Sequence, residues 1–349
     1  FMSSLFYKIF YYLLLFVITY LLFVFPSEVI EYLILNSEIF NFKSLIITFF
    51  INLIILVYFK TFYTSKLLKL FVNEGIGIGF ISFIITTLSL IFSFLITSYY
   101  SQIGYISIFL IIFITIYSYL NGRKVKLKFI SLNSNLFKTK SKVIFISDLH
   151  LGTNSIQHLN KIFNLITKVN YDFLLIGGDL IDSSEFKISD LEIFKNFKKP
   201  IFFCTGNHDY YIKGSKEKLD QLSNYNINYL NNCSKLIKHF NIIGINDNQN
   251  IYEQKKIVKR YFNKDKFNIF LTHKPSLFKI LDFPGLMLSG HTHNGQIFPF
   301  NFIVKIKFQH IYGLFKKTNT DLYVSSGSGC WGPRMRLGSK NEIVVLEFN

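Results

Sequence analysis

The chain has 349 residues, enough for two domains; half are hydrophobic and the formal net charge is +17. Its 41 Phe and 21 Tyr are high for a soluble protein, and the apolar excess is concentrated before residue 121. Cys204, Cys233 and Cys330 are odd in number and lack metal-binding or redox spacing, which excludes a disulfide framework and leaves buried or idle thiols.

Residues 9–27 lie between Lys8 and Glu28 without a formal charge, residues 44–59 are uncharged between Lys43 and Lys60, and residues 75–122 contain no Lys, Arg, Asp or Glu. A helix needs about 20 apolar residues to cross a bilayer, so the last stretch holds two crossings with a turn near Ser98–Gln102. Four transmembrane helices are expected, or three if residues 44–59 lie in the interface. Soluble core helices would each show a polar face, and these runs do not. A cleaved signal peptide explains residues 9–27 alone, but no small-residue cleavage site follows and further spans do.

The first connection carries Glu28, Glu31 and Glu38 against Lys43, and the second carries Lys60, Lys66 and Lys69 against Glu74. The fourth span is followed by Arg123, Lys124, Lys126 and Lys128. With four spans both basic flanks fall on one side, which predicts a multi-pass inner-membrane protein with both termini and the second domain in the cytoplasm. The overall positive charge suits nucleic acid or, equally, anionic lipid and these orientation signals.

From residue 123 the pattern changes. Arg123 to Leu132 alternates basic and apolar residues like a half-exposed strand. Apolar runs of strand length follow at 143–147, 173–177, 201–205, 268–272 and 286–289, with helix-like segments at 156–168 and 187–197. Shorter strand-like runs occupy 227–230, 235–239, 242–246, 321–325 and 342–348. The expected organisation is a transmembrane domain over 1–122 and an α/β domain over 123–349, with two apolar layers because one small sheet would not hold so many strands.

Polar clusters stand at the ends of the long apolar runs: Asp148-Leu-His150, Gly178-Asp179-Leu-Ile-Asp182, Gly206-Asn207-His208-Asp209, His273 and Gly290-His291-Thr-His293. Strand ends are where loops converge side chains on a ligand. Asp148 and His150 are two apart, as are His291 and His293, so on extended backbone each pair would point the same way. Carboxylates, an Asn amide oxygen and several His form a donor set suited to Mn, Fe, Zn or Co. One carboxylate between two cations would give the spacing, roughly 3.5–4 Å, used in phosphoryl chemistry. Asp-x-His or Gly-Asp alone is commonplace; five of eight His falling in such motifs is not. His158, His239 and His310 lack this context and read as ordinary packed or surface residues.

These motifs, in this order, closely resemble those of the calcineurin-like metallophosphoesterase superfamily over roughly residues 125–349. The strings Ser147–Gly152, Ser289–Ile297 and Gly332–Gly338 look like its bacterial branch, whose members often carry N-terminal membrane segments. Some members of that branch and its neighbours act on lipid-linked substrates such as UDP-2,3-diacylglucosamine. Asn294 stands where that branch often has Gly. The resemblance implies a β-sandwich flanked by helices and two divalent metal ions, Mn first. It implies one metal on Asp148, His150, Asp179 and His293, and a second on Asp179, Asn207, His273 and His291. His208 would serve as acid or charge stabiliser, with Asp209 as its orienting partner and Asp182 as a supporting carboxylate.

The expected reaction is hydrolysis of a phosphoester or pyrophosphate, with membrane anchoring favouring a lipid-linked or amphiphilic substrate and membrane lipids as partners. Residues 297–314, with Ile297, Phe298, Phe300, Phe302, Ile303, Val304, Lys305 and Lys307, read either as a surface for anionic lipid or as a plain core strand and loop. Arg334 and Arg336, after the Ser325–Gly329 loop, read as a clamp for a further phosphate or as solvated arginines. A nuclease or nucleotide phosphodiesterase is the competing enzyme. It would need a basic groove with interleaved aromatics, whereas much of the charge lies at membrane flanks, so no specific nucleic acid is expected. A non-enzymatic scaffold would have lost ligands, and all seven are present.

Overall fold

The uncharged stretches become helices. The computed structural model describes residues 2–61, 65–133, 140–184 and 186–349 and divides into two compact units, Phe1–Leu120 with Gly332–Met335, and Asn121–Trp331 with Arg336–Asn349. In the first region stand α1 (Met2–Phe23), α2 (Phe25–Leu35), α3 (Phe42–Lys60), α4 (Lys66–Leu95) and α5 (Tyr100–Gly122). Asn41 caps α3 by accepting from the Ser44 amide, and Ser65 caps α4 by accepting from the Leu68 amide. Among the described residues, four stretches are long and apolar enough to cross a membrane: Leu5–Phe23, Phe42–Lys60, Leu67–Leu95 and Thr97–Gly122. The third begins before the charge-free region and contains Glu74. The short helix α2 was not expected in the first connection.

Packing between these helices uses small and polar side chains, as it must where lipid is as apolar as leucine. Gly79 of α4 lies against the Leu22 carbonyl, a position with no room for a Cβ. Asn52 of α3 donates to Thr19 of α1 at 3.0 Å, and Ser107 of α5 donates to Ser89 of α4 at 2.7 Å. The densest polar knot surrounds the buried Glu28 of α2, which accepts from the Tyr20 hydroxyl at 2.6 Å, the Phe40 amide at 3.3 Å and the Ser44 hydroxyl.

In the second unit the chain runs β1 (Val125–Leu132), β2 (Ser141–Ile146), α6 (Ile156–Ile166), β3 (Phe173–Gly177), β4 (Ile201–Cys204), α7 (His208–Tyr211), α8 (Ser215–Asp220), β5 (Ile227–Tyr229), β6 (Ser234–Ile237), β7 (Phe240–Ile245), α9 (Ile251–Tyr261), β8 (Phe267–Thr272), β9 (Gly285–Ser289), α10 (Phe300–Lys307), β10 (Gly313–Lys316), β11 (Thr320–Val324) and β12 (Asn341–Phe348). The segment expected as a helix over 187–197 is a 3₁₀ helix, Ile188–Asn196. Two six-stranded sheets form, in the orders β1-β12-β2-β3-β4-β5 and β10-β11-β9-β8-β7-β6. Strands β2 to β5 are parallel, as are β7, β8, β9 and β11.

The alternation along each strand builds the layers. Val143, Phe145, Phe173 and Leu175 face the space between the sheets, where they meet Phe240, Ile242, Ile269, Leu271 and Leu286. Ile144, Ile146, Leu174 and Ile176 point the other way, under Leu159, Ile162 and Phe163 of α6. On the second sheet's outer face, Ile243, Phe270 and Met287 lie beneath Val258 of α9. Both faces of each sheet are covered, so the strands read as continuous apolar runs. The architecture is a β-sandwich flanked by helices, and the ends of β2, β3, β4, β8 and β9 carry the polar motifs.

The Glu28 knot is testable. Glu28→Leu would take this acceptor from the part-buried Tyr20 hydroxyl and the buried Ser44 hydroxyl, a cost of about 1–3 kcal/mol, whereas Glu28→Gln keeps an acceptor oxygen. Thermal unfolding of the detergent-solubilised chain should come clearly earlier for the Leu variant and much less so for Gln. Identical melting curves for all three would show that the carboxyl contributes nothing to packing.

Candidate metal centre

Each motif sits where a buried strand stops and the backbone bends sharply. Asp148 (φ 55°), His150 (44°), Asp179 (51°), His291 (71°) and His293 (48°) all occupy the left-handed region, which costs a non-glycine residue energy and clusters at functional sites. The expectation of extended Asp-x-His and His-x-His segments is therefore corrected: tight loops beyond β2 and β9, not strand alternation, aim these side chains. Glycines clear the space. A Cβ on Gly290 would run into the Asp148 carboxylate and the Ser147 hydroxyl, and one on Gly206 into the Asp179 carboxylate.

Two donor sets result. In the first, His150 Nε2 and His293 Nε2 are 3.1 Å apart, and His293 Nε2 lies 3.3 Å from Asp148 Oδ1. In the second, His273 Nε2 is 3.1 Å from both His291 Nδ1 and Asp179 Oδ2. That same Asp179 oxygen is 3.7 Å from His150 Nε2, so it faces both sets. Asn207 adds a buried Oδ1 with no hydrogen-bond partner. The donor atoms within each set lie within 4.8 Å of one another. Nitrogen lone pairs facing each other among buried carboxylates, beside an orphaned amide oxygen, fit a pair of divalent cations. His273 Nδ1 donates to the Gly177 carbonyl at 2.9 Å, which leaves Nε2 free to bind one.

Electrostatics follow from crowding. Burial by itself would lower His273, but Asp179, Asp148 and Asp247 push it up to about 10. Against the same burial penalty, Asp182, Asp179 and Asp148 push His150 up to about 9. Burial raises Asp148; it would raise Asp179 too, but His273 and His150 hold that carboxyl well below its usual range. His291 and His293 are held well below the usual imidazole range, first by burial and then by the neighbouring positive groups His273 and Arg336 respectively.

The structure redistributes the supporting roles. His208 is oriented by Asp182, whose Oδ1 lies 2.5 Å from Nδ1, and not by Asp209 as expected. Asp209 instead accepts from the amides of Asp179, Ile181 and Gly206, each at 2.9 Å, tying the loop after β3 to the loop after β4. Burial and Asp179 push its carboxyl up to about 7, against the pull of those amides. Asp182 also lies 3.4 Å from His150 Nδ1 and accepts from Thr153 at 2.7 Å.

The arginine clamp is also corrected. Arg336 is 0% exposed and donates to the carbonyls of His293, Ser326 and Gly329 and to Asn341 Oδ1, at 2.7–2.9 Å. A guanidinium so committed braces the His293 loop and cannot take a phosphate. Arg334 donates to Glu74 at 2.7 Å, an ion pair within the first unit. His158 contacts the Ser328 carbonyl at 2.8 Å, and His310 packs on Phe278 and Phe315.

Sequence reasoning missed an aromatic wall. Trp331, 50% exposed, and Tyr211, 65% exposed, stand 5.9 and 5.3 Å from the His208 ring, centroid to centroid. It also missed Lys274, which pairs with Asp247 at 2.5 Å immediately after His273. A lone aromatic or lysine carries no spacing signal, so neither could have been found that way.

Residues 141–295 match the family model described as calcineurin-like phosphoesterase. An uncharacterized metallophosphoesterase of Campylobacter jejuni is 40% identical over 228 residues, and one of Helicobacter pylori 35% identical over 224 residues. These alignments cover about 60% of this chain, which spans about 60% of the relatives' own lengths. A zebrafish (Danio rerio) transmembrane protein with metallophosphoesterase domain is 29% identical over 229 residues, 59% of this chain and 52% of that one. The chain is thus similar over residues 141–295 to the calcineurin-like phosphoesterase family model, and over about 60% of its length to relatives named metallophosphoesterases.

Proposed function

We propose that this chain is a membrane-anchored, metal-dependent phosphoesterase that hydrolyses a phosphoester or pyrophosphate of a lipid-linked or amphiphilic substrate. The observation that carries the reading is the Asp179 oxygen facing both histidine sets, the geometry of a carboxylate shared by two cations. Asp148, His150, Asp179 and His293 would hold one and Asp179, Asn207, His273 and His291 the other. Mn is our first choice, with Fe, Zn or Co compatible with the same donors. When bound, such a pair draws charge from the phosphoryl oxygens and lowers the pKa of the attacking water.

The protein's own groups supply the rest. Asp182 accepts from His208 Nδ1 and fixes the ring's orientation, leaving the opposite nitrogen to give a proton to the departing oxygen. The hydrogen bonds of Asp209 keep the Asp179 and Asn207 loops in register. Four spans on the same chain support a substrate that partitions into the bilayer. The basic flanks support an inner-membrane location with the catalytic unit in the cytoplasm. Trp331 and Tyr211 favour a second reading, a nuclease or nucleotide phosphodiesterase that stacks a base beside His208. A panel of lipid pyrophosphates, nucleotide diesters and single-stranded DNA, assayed with Mn, separates the two.

Chelation should abolish hydrolysis of an aryl phosphate and Mn should restore it, with Asp179→Asn more damaging than any single His substitution because it weakens both sites. Full turnover in metal-free buffer would sink the two-cation reading. His208→Asn should cut turnover of alkyl esters by about 10²–10⁴-fold and of nitrophenyl esters less, with metal content unchanged. Equal losses on both substrates would assign His208 to charge stabilisation. Cysteines placed near residue 37 should react with an impermeant reagent from outside the cell, and one at the C-terminus only after permeabilisation; the reverse pattern would overturn the orientation.

A further inference from the structure

Within residues 297–314, which read as either a core strand and loop or a lipid surface, Ile297 and Ile311 are buried and β10 begins at Gly313. Between them Phe300–Lys307 forms α10, an eight-residue helix with none of its residues buried. Ile306 is 86% exposed, Phe302 57%, Ile303 54%, and Phe298, just before the helix, 52%. Phe298 and Phe302 pack ring to ring at 5.7 Å, making one apolar ridge, and Lys305 and Lys307 lie in the last turn. Scattered exposed apolar residues need no explanation, but a contiguous group on one short helix marks an interaction site.

The chain itself indicates what covers this ridge. The fourth membrane-spanning stretch ends at Gly122 and β1 begins at Val125, and two intervening residues extend at most about 7 Å. Within the second unit, the buried Asn341 of β12 donates to the carbonyls of Gly122 at 2.6 Å and Lys124 at 3.2 Å, so the end of that span has no slack. A domain fastened so closely to a membrane span stays within reach of the lipid headgroups. Aromatic and aliphatic side chains flanked by lysines are the composition that lies in that layer, with the cations facing anionic phosphates.

We propose that α10, with Phe298, docks on the anionic lipid surface of the membrane that holds the spans. The helix is bracketed by the metal centre: the His291-His293 loop leads into it, and Phe308, just after it, packs on the His291 ring at 5.1 Å. Docking therefore sets the depth at which the metal centre meets a phosphate at headgroup level. This deepens the lipid-linked reading and rests on it only for the identity of the substrate.

The test uses the full chain in vesicles of phosphatidylethanolamine and phosphatidylglycerol, in a Cys233→Ser background because Cys204 and Cys330 are buried. A spin label on Ile306→Cys should collide with oxygen more than with a water-soluble nickel chelate. A label on Tyr252→Cys, an exposed site on α9, should show the opposite. Leaving out phosphatidylglycerol should reduce immersion at 306, with the docking equilibrium constant falling roughly fivefold for each lysine. A label at 306 as accessible to nickel as the one at 252 overturns docking.

In a second arm, Phe302→Glu with Ile306→Glu should slow hydrolysis of a vesicle-borne lipid phosphate roughly tenfold while sparing a water-soluble aryl phosphate. Immersion at 306 with no cleavage of any lipid-borne phosphate by the parent chain supports docking and removes the lipid-substrate reading. Cleavage that the double substitution leaves unchanged, with a water-exposed label, overturns docking and leaves that reading standing.

Discussion

The site depends on one atom's position. Asp179 Oδ2 lies 3.1 Å from His273 and 3.7 Å from His150, and it is buried beside two further carboxyls, Asp148 and Asp209. Grouping acids out of water is unfavourable unless positive charge joins them. Here two imidazoles are pushed up to about 9 and about 10 by those acids. A proton and a cation compete for the same nitrogen lone pair, so the carboxylates that raise these histidines are also what makes the pocket attractive to divalent metal. Metal binding and proton release are thereby coupled.

The fold exists around that constraint. Parallel strands bring β2, β3 and β4 to a common end on one sheet and β8 and β9 on the other, and the inner apolar layer holds the two sheets together. The loops at these ends are forced into left-handed turns at five of the seven expected ligands. Such strain persists only when surrounding contacts over-determine it. Here they include the Asp209 hydrogen bonds, the Asp148 carboxylate accepting from the His291 amide at 3.1 and 3.2 Å, and the Arg336 brace on His293.

Much of this was legible in the sequence because strands covered on both faces become unbroken apolar runs and the polar motifs interrupt them. Strand positions and the charge-free spans follow from that pattern, whereas the division of the ligands into two sets was implied only by the family resemblance. What was hidden depended on three-dimensional closeness. Asp182 and Asp209 are both acids near His208, and nothing in their spacing says which one reaches its ring. Arg336 resembles a solvated clamp until a buried ring of carbonyls closes on it. The alternation of Ile297, Phe298, Phe300 and Phe302 suits strand or helix alike, and only the exposed setting decides. Glycine-free left-handed turns carry no composition signal, so the extended reading of Asp-x-His had nothing to contradict it.

On the proposed function, chemistry and selectivity would fall in different parts of the chain. The family match ends at residue 295, and all seven expected ligands lie before that point. The side chains that border the site without belonging to the ligand set come mainly from beyond it: Trp331 beside His208, Phe308 on His291, Arg336 behind His293, and the exposed ridge of α10. Gln296 links these parts, since its amide donates to the Trp331 carbonyl at 2.8 Å and accepts from the Trp331 amide at 2.9 Å. A two-cation centre discriminates poorly among phosphate esters because it contacts only the phosphoryl oxygens and the nucleophile. Discrimination has to come from surfaces that meet the remainder of the substrate. On the proposed function those surfaces would be the aromatic wall and the exposed helix α10, so changes in residues 296–336 would alter what is hydrolysed while the metal ligands stay the same.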